Sequence, residues 1–502
     1  MQRRQVLINA VMSVVQTVVI SGVLFILYRF FLKTIGVEQL GIWSLVLATT
    51  SITQIANLGL SGSVVKFVAK YVARGEEENV CSVIQTAAIS VSVFIGIILL
   101  FGYPVMKWIL KNIIPLESIR LAIEILPFAI FSLWITMIVG VFHSGFDGYQ
   151  RIYIRNLLLM SGAIFYLVLC FIFVPLYGLI GLAYAQIIQN VIILFSTWIL
   201  LKRYLPMLPF IPYKWDKNLF REMISYGINF QMISVTVMFY DPITKALLSK
   251  FGGLSMVGYY EMANKMIIQL RALIVSANQV LVPAIADLKE KIPEKIQSVY
   301  LTSYQLLFYL AVPLYSLIIV SIPIISKLWI GRYESVFVDF GTLLTIGWFL
   351  NVLNAPAYFA NLGIGELRWN VISHVTIGVL NAGLGFLLGV YFGGTGVVVA
   401  WVVALALGSS LIYLSYHIRN KIPLIELLPK ASRATTIACL LGILFSILIQ
   451  YKFNHIFNTI VLNSLIIFIF STIIFFPFWL HPMRKRLMGW ITHELLNGGM
   501  RS

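Results

Sequence analysis

The sequence predicts an all-α polytopic membrane protein of about fourteen transmembrane helices, built as two six-helix bundles in a parallel pseudo-twofold repeat plus a C-terminal helix pair. Of its 502 residues, 60% are hydrophobic and only 11% are charged, proportions that soluble domains do not have. Apolar windows of about 20 residues, the length that crosses a hydrocarbon core of about 30 Å, recur along the whole chain. The third observation is a similarity between the two halves of the chain at a constant offset.

The first apolar run follows Arg3 and Arg4. A basic start before an apolar run is also typical of a secretion signal, but this run of about 22 residues is too long and lacks an A-x-A-like cleavage site. It is therefore interpreted as the first transmembrane helix. Short connections separate the later spans, and we place the set at residues 11–32, 41–62, 80–103, 121–143, 156–175, 178–201, 223–248, 258–282, 301–325, 340–360, 370–391, 393–416, 433–451 and 459–480.

The net charge of +17 would indicate a nucleic-acid partner in a soluble protein. With these spans, however, 24 of the 36 Lys and Arg residues fall on the side of both termini and only 8 on the opposite side. Basic residues concentrate in cytoplasmic connections, so the rich side and both termini are predicted to be cytoplasmic. The basicity then reflects topology, and no nucleic-acid partner is predicted.

The internal repeat rests on residues that recur in one register. At an offset of 217 residues, Lys33, Gly36 and Gly41 match Lys250, Gly253 and Gly258, and Phe142, Gly148 and Arg151 match Phe359, Gly365 and Arg368. At an offset of 215, Gly178, Gly181 and Ala185 match Gly393, Gly396 and Ala400. Glycine-rich membrane helices can match by chance, but a register held over so long a stretch indicates duplication.

Each repeat contains six spans, an even number, so the second repeat enters the membrane in the same orientation as the first. Two such bundles are related by an axis along the membrane normal and leave a cleft between them. We predict an N-terminal lobe at residues 1–210, a C-terminal lobe at 211–425, and two additional spans with a cytoplasmic tail at 426–502.

The three cysteines, Cys81, Cys170 and Cys439, lie in predicted spans or at their edges. Their number is odd and no C-x-x-C spacing occurs, so they indicate neither a disulfide framework nor a metal site. We expect no metal, no cofactor and no catalytic residue.

Several short segments resemble the oligosaccharide flippases. They are Gly41–Leu45, Asn57–Lys70, Gly258–Lys265 and the Pro283-Ala284 pair that closes the eighth span. These flippases belong to the multidrug, oligosaccharidyl-lipid and polysaccharide exporter superfamily, together with multidrug exporters and lipid II flippases. The resemblance covers residues 1 to 420, and the additional helix pair is also typical of the family.

This resemblance implies a two-lobed rocker-switch transporter rather than an enzyme. Its substrate would be a polyprenyl-pyrophosphate-linked glycan, moved from the cytoplasmic to the outer leaflet of the cell membrane for surface polysaccharides such as the lipopolysaccharide O-antigen. Membrane lipids are further implied partners, and other polysaccharide-assembly proteins are candidate partners.

Ionisable residues inside the spans are few, and each costs about 2.5 to 3.5 kcal/mol at the centre of a helix. Asp241 and Lys245 in the seventh span are four residues apart and close enough to pair. A structural ion pair and a cavity role are both compatible with this spacing, although Asp241 matches an acidic position in the resembled family.

The eighth span carries a hydrophilic stripe. Glu261, Asn264, Arg271 and Asn278 are separated by 3, 7 and 7 residues, which places them on one side of a helix. A similar stripe in the tenth span consists of Asn351, Asn354, Tyr358 and Asn361. Uncharged stripes fit hydrogen bonding between helices as well as the lining of a cavity.

The pyrophosphate of the implied substrate must be met by cations or helix N-termini, because its charge enters a region of low dielectric. The candidate cations are Arg29, Lys66, Lys265 and Arg271. Lys66, at the cytoplasmic end of the second span, also fits an ordinary topology-determining residue.

Two other functions compete with the flippase. A membrane glycosyltransferase or polysaccharide polymerase would need acid-base or metal-binding carboxylates on its outer loops, but these loops hold few acidic residues and no Asp-x-Asp. A cation-coupled multidrug exporter would share the six-plus-six design. Such exporters resemble one another in using carboxylates of the N-terminal lobe, whereas residues 6–37 contain no acidic residue.

Overall fold

The computed structural model describes residues 3–53, 59–228, 231–453, 459–487 and 489. Within these ranges all regular structure is helical, and no β-strand is present. Helices satisfy their backbone hydrogen bonds internally, which is what a chain surrounded by lipid requires. The predicted all-α membrane fold is thus confirmed. Asn57 of the second-span motif and the tail beyond residue 489 lie outside the described residues.

The helices of the first repeat and the connection after it are α1 (Arg3–Thr34), α2 (Gly36–Ser51), α3 (Leu60–Arg74), α4 (Glu77–Ser90), α5 (Gly96–Ile113), α6 (Leu116–Gly148), α7 (Ile152–Tyr204) and α8 (Lys217–Ile228). A π-helical turn, Val91–Ile95, joins α4 to α5. The remaining helices are α9 (Gln231–Met238), α10 (Tyr240–Asn278), α11 (Leu281–Lys291), α12 (Lys295–Ile330), α13 (Ser335–Val352), α14 (Ala355–Ile364), α15 (Arg368–Arg419), α16 (Arg433–Phe453) and α17 (Thr459–Leu480).

Nine helical stretches of the described residues are long and apolar enough to cross a membrane. Two of them, α7 and α15, contain two spans each. The predicted second span is divided between α2 and α3, and the predicted seventh and eighth spans lie in α8 to α10, where charged residues lower the hydropathy. Counted in this way, the described residues form fourteen long helices.

The repeat is visible in the backbone at two pairs of matched glycines. Gly36 and Gly253 have φ angles of 82° and 80°. Inside the long helices, Gly178 (φ 58°, ψ −133°) and Gly393 (φ 63°, ψ −151°) share a second non-helical conformation. Residues other than glycine rarely adopt these backbone angles. Matched backbone conformations at matched positions confirm the duplication.

Two further glycines bring α2 against the part of α10 that follows Gly253. A Cβ atom at Gly41 would clash with the backbone oxygen of Leu254, and a Cβ atom at Gly258 would clash with the backbone oxygen of Val37. Val37 and Leu254 are matched positions, as are the two glycines. The two contacts are therefore equivalent, with small residues permitting close approach of two membrane helices.

Polar side chains across the same helix pair bond to their own repeat counterparts. Ser255 donates to Glu38 at 3.3 Å, and Ser44 donates to Glu261 at 3.1 Å, each pair being 217 residues apart. A twofold axis perpendicular to the helices would permit self-equivalent contacts at one level only. Contacts at two levels require an axis along the helices, so the predicted parallel repeat is confirmed.

The chain divides by its internal contacts into two compact units. Unit 1 consists of Met1–Met262 and Asn381–Val397, and unit 2 consists of Ala263–Leu380 and Val398–Ser502. The lobe boundaries at residues 210 and 425 stay a prediction.

The additional helix pair packs against α12 within unit 2. The rings of Tyr309 and Phe478 stack with centroids 4.4 Å apart, and the Tyr309 hydroxyl donates to the Phe478 carbonyl oxygen at 3.2 Å. This packing fixes α17 beside α12, where the two helices form part of the candidate site.

Candidate functional site

A buried charged cluster forms around Lys245 in unit 1. The Lys245 Nζ lies 2.5 Å from Asp241 Oδ2 and 2.7 Å from Glu261 Oε2. The side chains of Lys245 and Glu261 are 4% and 8% exposed, whereas that of Asp241 is 42% exposed. The predicted pairing of Asp241 with Lys245 is therefore confirmed, but Glu261 is a third member. Burying these charges is costly, and their mutual attraction offsets the loss of hydration only in such close geometry.

Glu261 also joins the cluster to the N-terminal helices. The Tyr28 hydroxyl on α1 donates to Glu261 Oε1 at 3.3 Å, and Ser44 on α2 donates to Oε2. Three helices of unit 1 thus meet at one carboxylate. With all three ionisable groups charged, one cation faces two anions, and the hydroxyl donors stabilise the negative charge in excess.

A second polar cluster, in unit 2, surrounds Arg271 on α10. Arg271 Nε donates to Asn351 Oδ1 at 2.9 Å, and its Cζ lies 4.9 Å from the centroid of the Trp348 ring. Asn351 donates onward to Ser409 at 2.8 Å, and Trp348 Nε1 donates to Asn264 Oδ1 at 2.9 Å. The bond to Asn351 holds one edge of the guanidinium, and among the described residues its two terminal nitrogens have no hydrogen-bond acceptor.

Among the residues that the structure describes, the surroundings of Arg271 are polar and aromatic but not acidic. Its electrostatic neighbours include the hydroxyls of Tyr315 and Tyr358 and the imidazole of His374. The Tyr315 side chain is 2% exposed, and its hydroxyl has no hydrogen-bond partner among the described residues. None of the ion pairs in the described part of the chain joins Arg271 to a carboxylate. An anion that entered here would meet a cation whose charge no acidic side chain of the described residues neutralises.

An apolar groove of about 720 Å³ lies in the same unit. It is formed by α10, α12 and α17, with contributions from the start of α11. Its lining is almost entirely aliphatic and aromatic: Leu273, Ile274, Asn278, Val280, Leu281, Ser303, Leu306, Leu307, Leu310, Pro313, Leu314, Leu317, Phe470, Ser471, Ile474, Phe475 and Phe478. Surfaces of this composition suit hydrocarbon chains.

The groove and the cation share one face of α10. Arg271, Ile274 and Asn278 are separated by three and four residues and so lie in one row along the helix. Ile274 and Asn278 line the groove. A molecule with an anionic head and a long apolar chain would find both of its partners along this row.

The other predicted site residues are distributed over both units. Arg29 is exposed on α1, and Lys66 is exposed on α3 with its Nζ 3.6 Å from the centroid of the Tyr226 ring. Lys265 is exposed on α10, whereas Asn264 and Asn278 are buried at 4% and 8% exposure. The hydrophilic stripe of the eighth span therefore divides, because Glu261 bonds within unit 1 and the other three lie in unit 2.

Several residues of the two clusters were not predicted from the sequence as site residues. Around Arg271, the stripe of the tenth span pointed to Asn351 and Tyr358, and Trp348 lies one turn earlier on the same face. Nothing local marked Tyr315, because a single tyrosine in an apolar helix is ordinary. The same is true of Tyr28 beside Glu261.

A family model described as "Polysaccharide biosynthesis protein" matches residues 6–289, more than half of the chain. A search of curated proteins finds no match to the sequence.

Among solved structures, a multidrug resistance MATE family transporter of the MOP superfamily, in an inward-facing conformation, has a TM-score of 0.68 at 17% identity, covering 81% of this chain and 94% of that one. The lipid II flippase MurJ, in an inward closed conformation, has a TM-score of 0.62 at 15% identity, covering 90% and 98%. A MOP superfamily transporter from Pyrococcus furiosus has a TM-score of 0.60 at 15% identity, covering 82% and 95%. At these identities the similarity establishes the fold.

Proposed function

The chain belongs to the family of polysaccharide biosynthesis proteins, and from this premise we propose that it is a flippase for polyprenyl-pyrophosphate-linked oligosaccharides. It would move them from the cytoplasmic to the outer leaflet of the cell membrane by alternating access. The proposal includes a cytoplasmic location of both termini and the absence of enzymatic activity.

One observation carries the proposal: a cation without a carboxylate partner in the described residues lies in line with an apolar groove. Arg271 offers the planar, paired donors that suit a phosphate group. The groove beginning at Ile274 offers a surface for the prenyl chain, and each methylene buried there would contribute about 0.8 kcal/mol. The substrate of the MurJ neighbour, named as lipid II, is likewise a lipid, which agrees with an amphiphilic substrate.

A multidrug exporter is the alternative within the same superfamily. The polarity of the site argues against it, because Arg271 would repel a cationic drug. For the Pyrococcus furiosus transporter, a reversed polarity of the binding pocket is taken to suggest a different function. The same reasoning favours an anionic substrate here.

The head-group role is tested with Arg271→Ala and Arg271→Lys, measuring surface-glycan display together with abundance in the membrane. We expect Arg271→Ala to abolish display at normal abundance, and Arg271→Lys to retain part of it because the charge remains while the planar fork is lost. Normal display by an abundant Arg271→Ala protein would exclude the proposed role.

The groove is tested independently with Leu310→Trp, which fills it, and with Leu444→Trp as a matched control. Leu444 lies on α16, is 61% exposed and does not line the groove. We expect Leu310→Trp to impair glycan display and Leu444→Trp to leave it unchanged. If drug efflux falls with Leu310→Trp while glycan display persists, the protein is a multidrug exporter and the flippase proposal is wrong.

A further inference from the structure

The connection between α7 and α8, residues 205–216, exposes large apolar side chains. Met207, Phe210 and Tyr213 are 59%, 79% and 78% exposed, whereas Leu205 and Leu208 are buried at 0% and 1%. The segment is not helical. The two leucines hold it onto the protein while the other side chains point away, so the exposed face needs a partner.

Three prolines make this connection stiff. Pro206, Pro209 and Pro212 recur every third residue, and each has a φ angle fixed by its ring. The backbone nitrogen of Leu208 also donates to the Leu205 carbonyl oxygen at 2.9 Å, which closes a turn at the start of the connection. Met207, Phe210 and Tyr213 each follow one of these prolines, and these three exposed side chains make up the apolar face of the segment. This apolar face is preorganised, since little conformational entropy is left to lose on binding.

Side-chain hydrogen bonds fix the connection against α4. The backbone nitrogens of Tyr213 and Lys214 donate to Gln85 Oε1 at 3.2 and 3.3 Å, and Trp215 Nε1 donates to Ser90 Oγ at 2.9 Å. The exposed face thus keeps a defined position relative to the transmembrane helix that begins with α4.

That position is where the lipid-facing surface of the helix begins. Residues 80–88 are buried, whereas Val93 and Phe94 on the following turn are 50% and 46% exposed. The Phe94 ring stacks on the ring of Phe220 in α8 at 5.4 Å, and the Trp215 ring lies 5.6 Å from Phe220. The connection therefore lies at the level where the exposed apolar surface of this helix begins.

The flanks of this face are basic. Between residues 202 and 222 there are five cations, Lys202, Arg203, Lys214, Lys217 and Arg221, against the two anions Asp216 and Glu222. Asp216 is already engaged, because its Oδ1 accepts the backbone N–H groups of Asn218 and Leu219 at the start of α8. Lys202 places its Nζ 3.2 Å from the centroid of the Phe210 ring, so charge and aromatic surface coincide.

We propose that residues 205–216, with these flanking cations, form an interfacial anchor that binds anionic phospholipid head groups. Tyrosine and tryptophan prefer the head-group level of a bilayer. Basic side chains beside them attract anionic lipids, while the apolar face enters the boundary of the acyl chains. The anchor lies on the basic side of the protein and does not depend on which substrate is transported.

The depth of the face is tested with full-length protein carrying Phe210→Cys, labelled with an environment-sensitive fluorophore and placed in phosphatidylcholine–phosphatidylglycerol vesicles. Glu290→Cys, at an exposed position of α11, is the control, and the native cysteines are buried. We expect lipid-attached quenchers to act on position 210 and aqueous iodide to act on position 290. Quenching of position 210 by iodide alone would overturn the proposal and indicate a face open to a soluble protein partner.

The anionic preference is tested with the triple variant Lys202→Gln, Lys214→Gln and Lys217→Gln. The control triple, Lys291→Gln, Lys295→Gln and Lys430→Gln, removes equal charge from exposed positions elsewhere. Each cation near an anionic surface contributes about a fivefold change in binding. In native mass spectrometry, the ratio of retained phosphatidylglycerol to retained phosphatidylcholine should therefore be at least fivefold lower for the first triple than for wild type. Equal losses in both triples, or none in the first, would overturn the proposal.

Discussion

Ser44 donates a hydrogen bond to Glu261, the residue that occupies its own position in the second repeat. The bond lies on the pseudo-twofold axis, because a residue meets its symmetry counterpart only there. Duplication supplied the matched helices, and divergence then placed a hydroxyl in one copy and a carboxylate in the other. The carboxylate recruits Lys245 and Tyr28, so a nearly symmetric scaffold carries an asymmetric charge.

The close contact of α2 with α10 predicts a strict need for glycine. Gly41→Ala should lower thermal stability in detergent, because its Cβ would meet the backbone oxygen of Leu254 and overpacking costs about 1–3 kcal/mol. Gly22→Ala is the matched control, since no heavy atom lies within 4 Å of a Cβ there. Equal melting temperatures for the two variants would contradict the contact.

The charged cluster of unit 1 predicts a ranking of substitutions. Lys245→Met leaves two carboxylates facing each other, and loss of one partner of a buried pair costs about 3–5 kcal/mol. Asp241→Asn should have a much smaller effect, because Asp241 is 42% exposed and Glu261 still pairs with Lys245. Adding Glu261→Gln to Lys245→Met should restore part of the melting temperature. The opposite ranking would show that the cluster does not hold these helices together.

Arg271 is predicted to matter little for stability. Since no carboxylate of the described residues pairs with it, Arg271→Ala leaves no buried acid unpaired, and its abundance and melting temperature should stay near wild type. Asn351→Ala should lower the melting temperature more than Arg271→Ala does, because it removes the bonds to both Arg271 and Ser409. Failure of Arg271→Ala to accumulate in the membrane would mean that the arginine is structural.

The charge distribution predicts the side on which each connection lies. Asn218→Cys at the start of α8 should react with an impermeant maleimide only after cells are permeabilised. Leu116→Cys, at the 87% exposed start of α6, should react in intact cells. The span in α6 and the two spans in α7 cross the membrane three times between residues 116 and 218, which places the two positions on opposite sides. Labelling in the reverse order would invert the topology.

Much of the fold followed from patterns within single segments. Gly36 and Gly253 were matched by register alone, and the structure gives both a positive φ angle, 82° and 80°. Asp241 and Lys245 were paired by helical spacing, and they do pair. The stripe of the eighth span, however, indicated which side of a helix is polar without indicating its partners. Glu261 and Arg271 share that stripe but belong to different clusters.

The sequence by itself determined the helical class, the number of spans and the parallel repeat. The helical class and the number of spans depend on the length of the apolar segments, and the parallel orientation depends on the even number of spans in each repeat. The matched glycines mark backbone conformations that other residues rarely adopt. All of these are properties of single segments. Tertiary structure alone decided that Ser44 meets Glu261, that Tyr315 lies near Arg271 without a bond to its hydroxyl in the described residues, and that α10, α12 and α17 enclose a groove. Such contacts join residues far apart in the chain, and they depend on the packing of side chains between helices, which no single segment encodes.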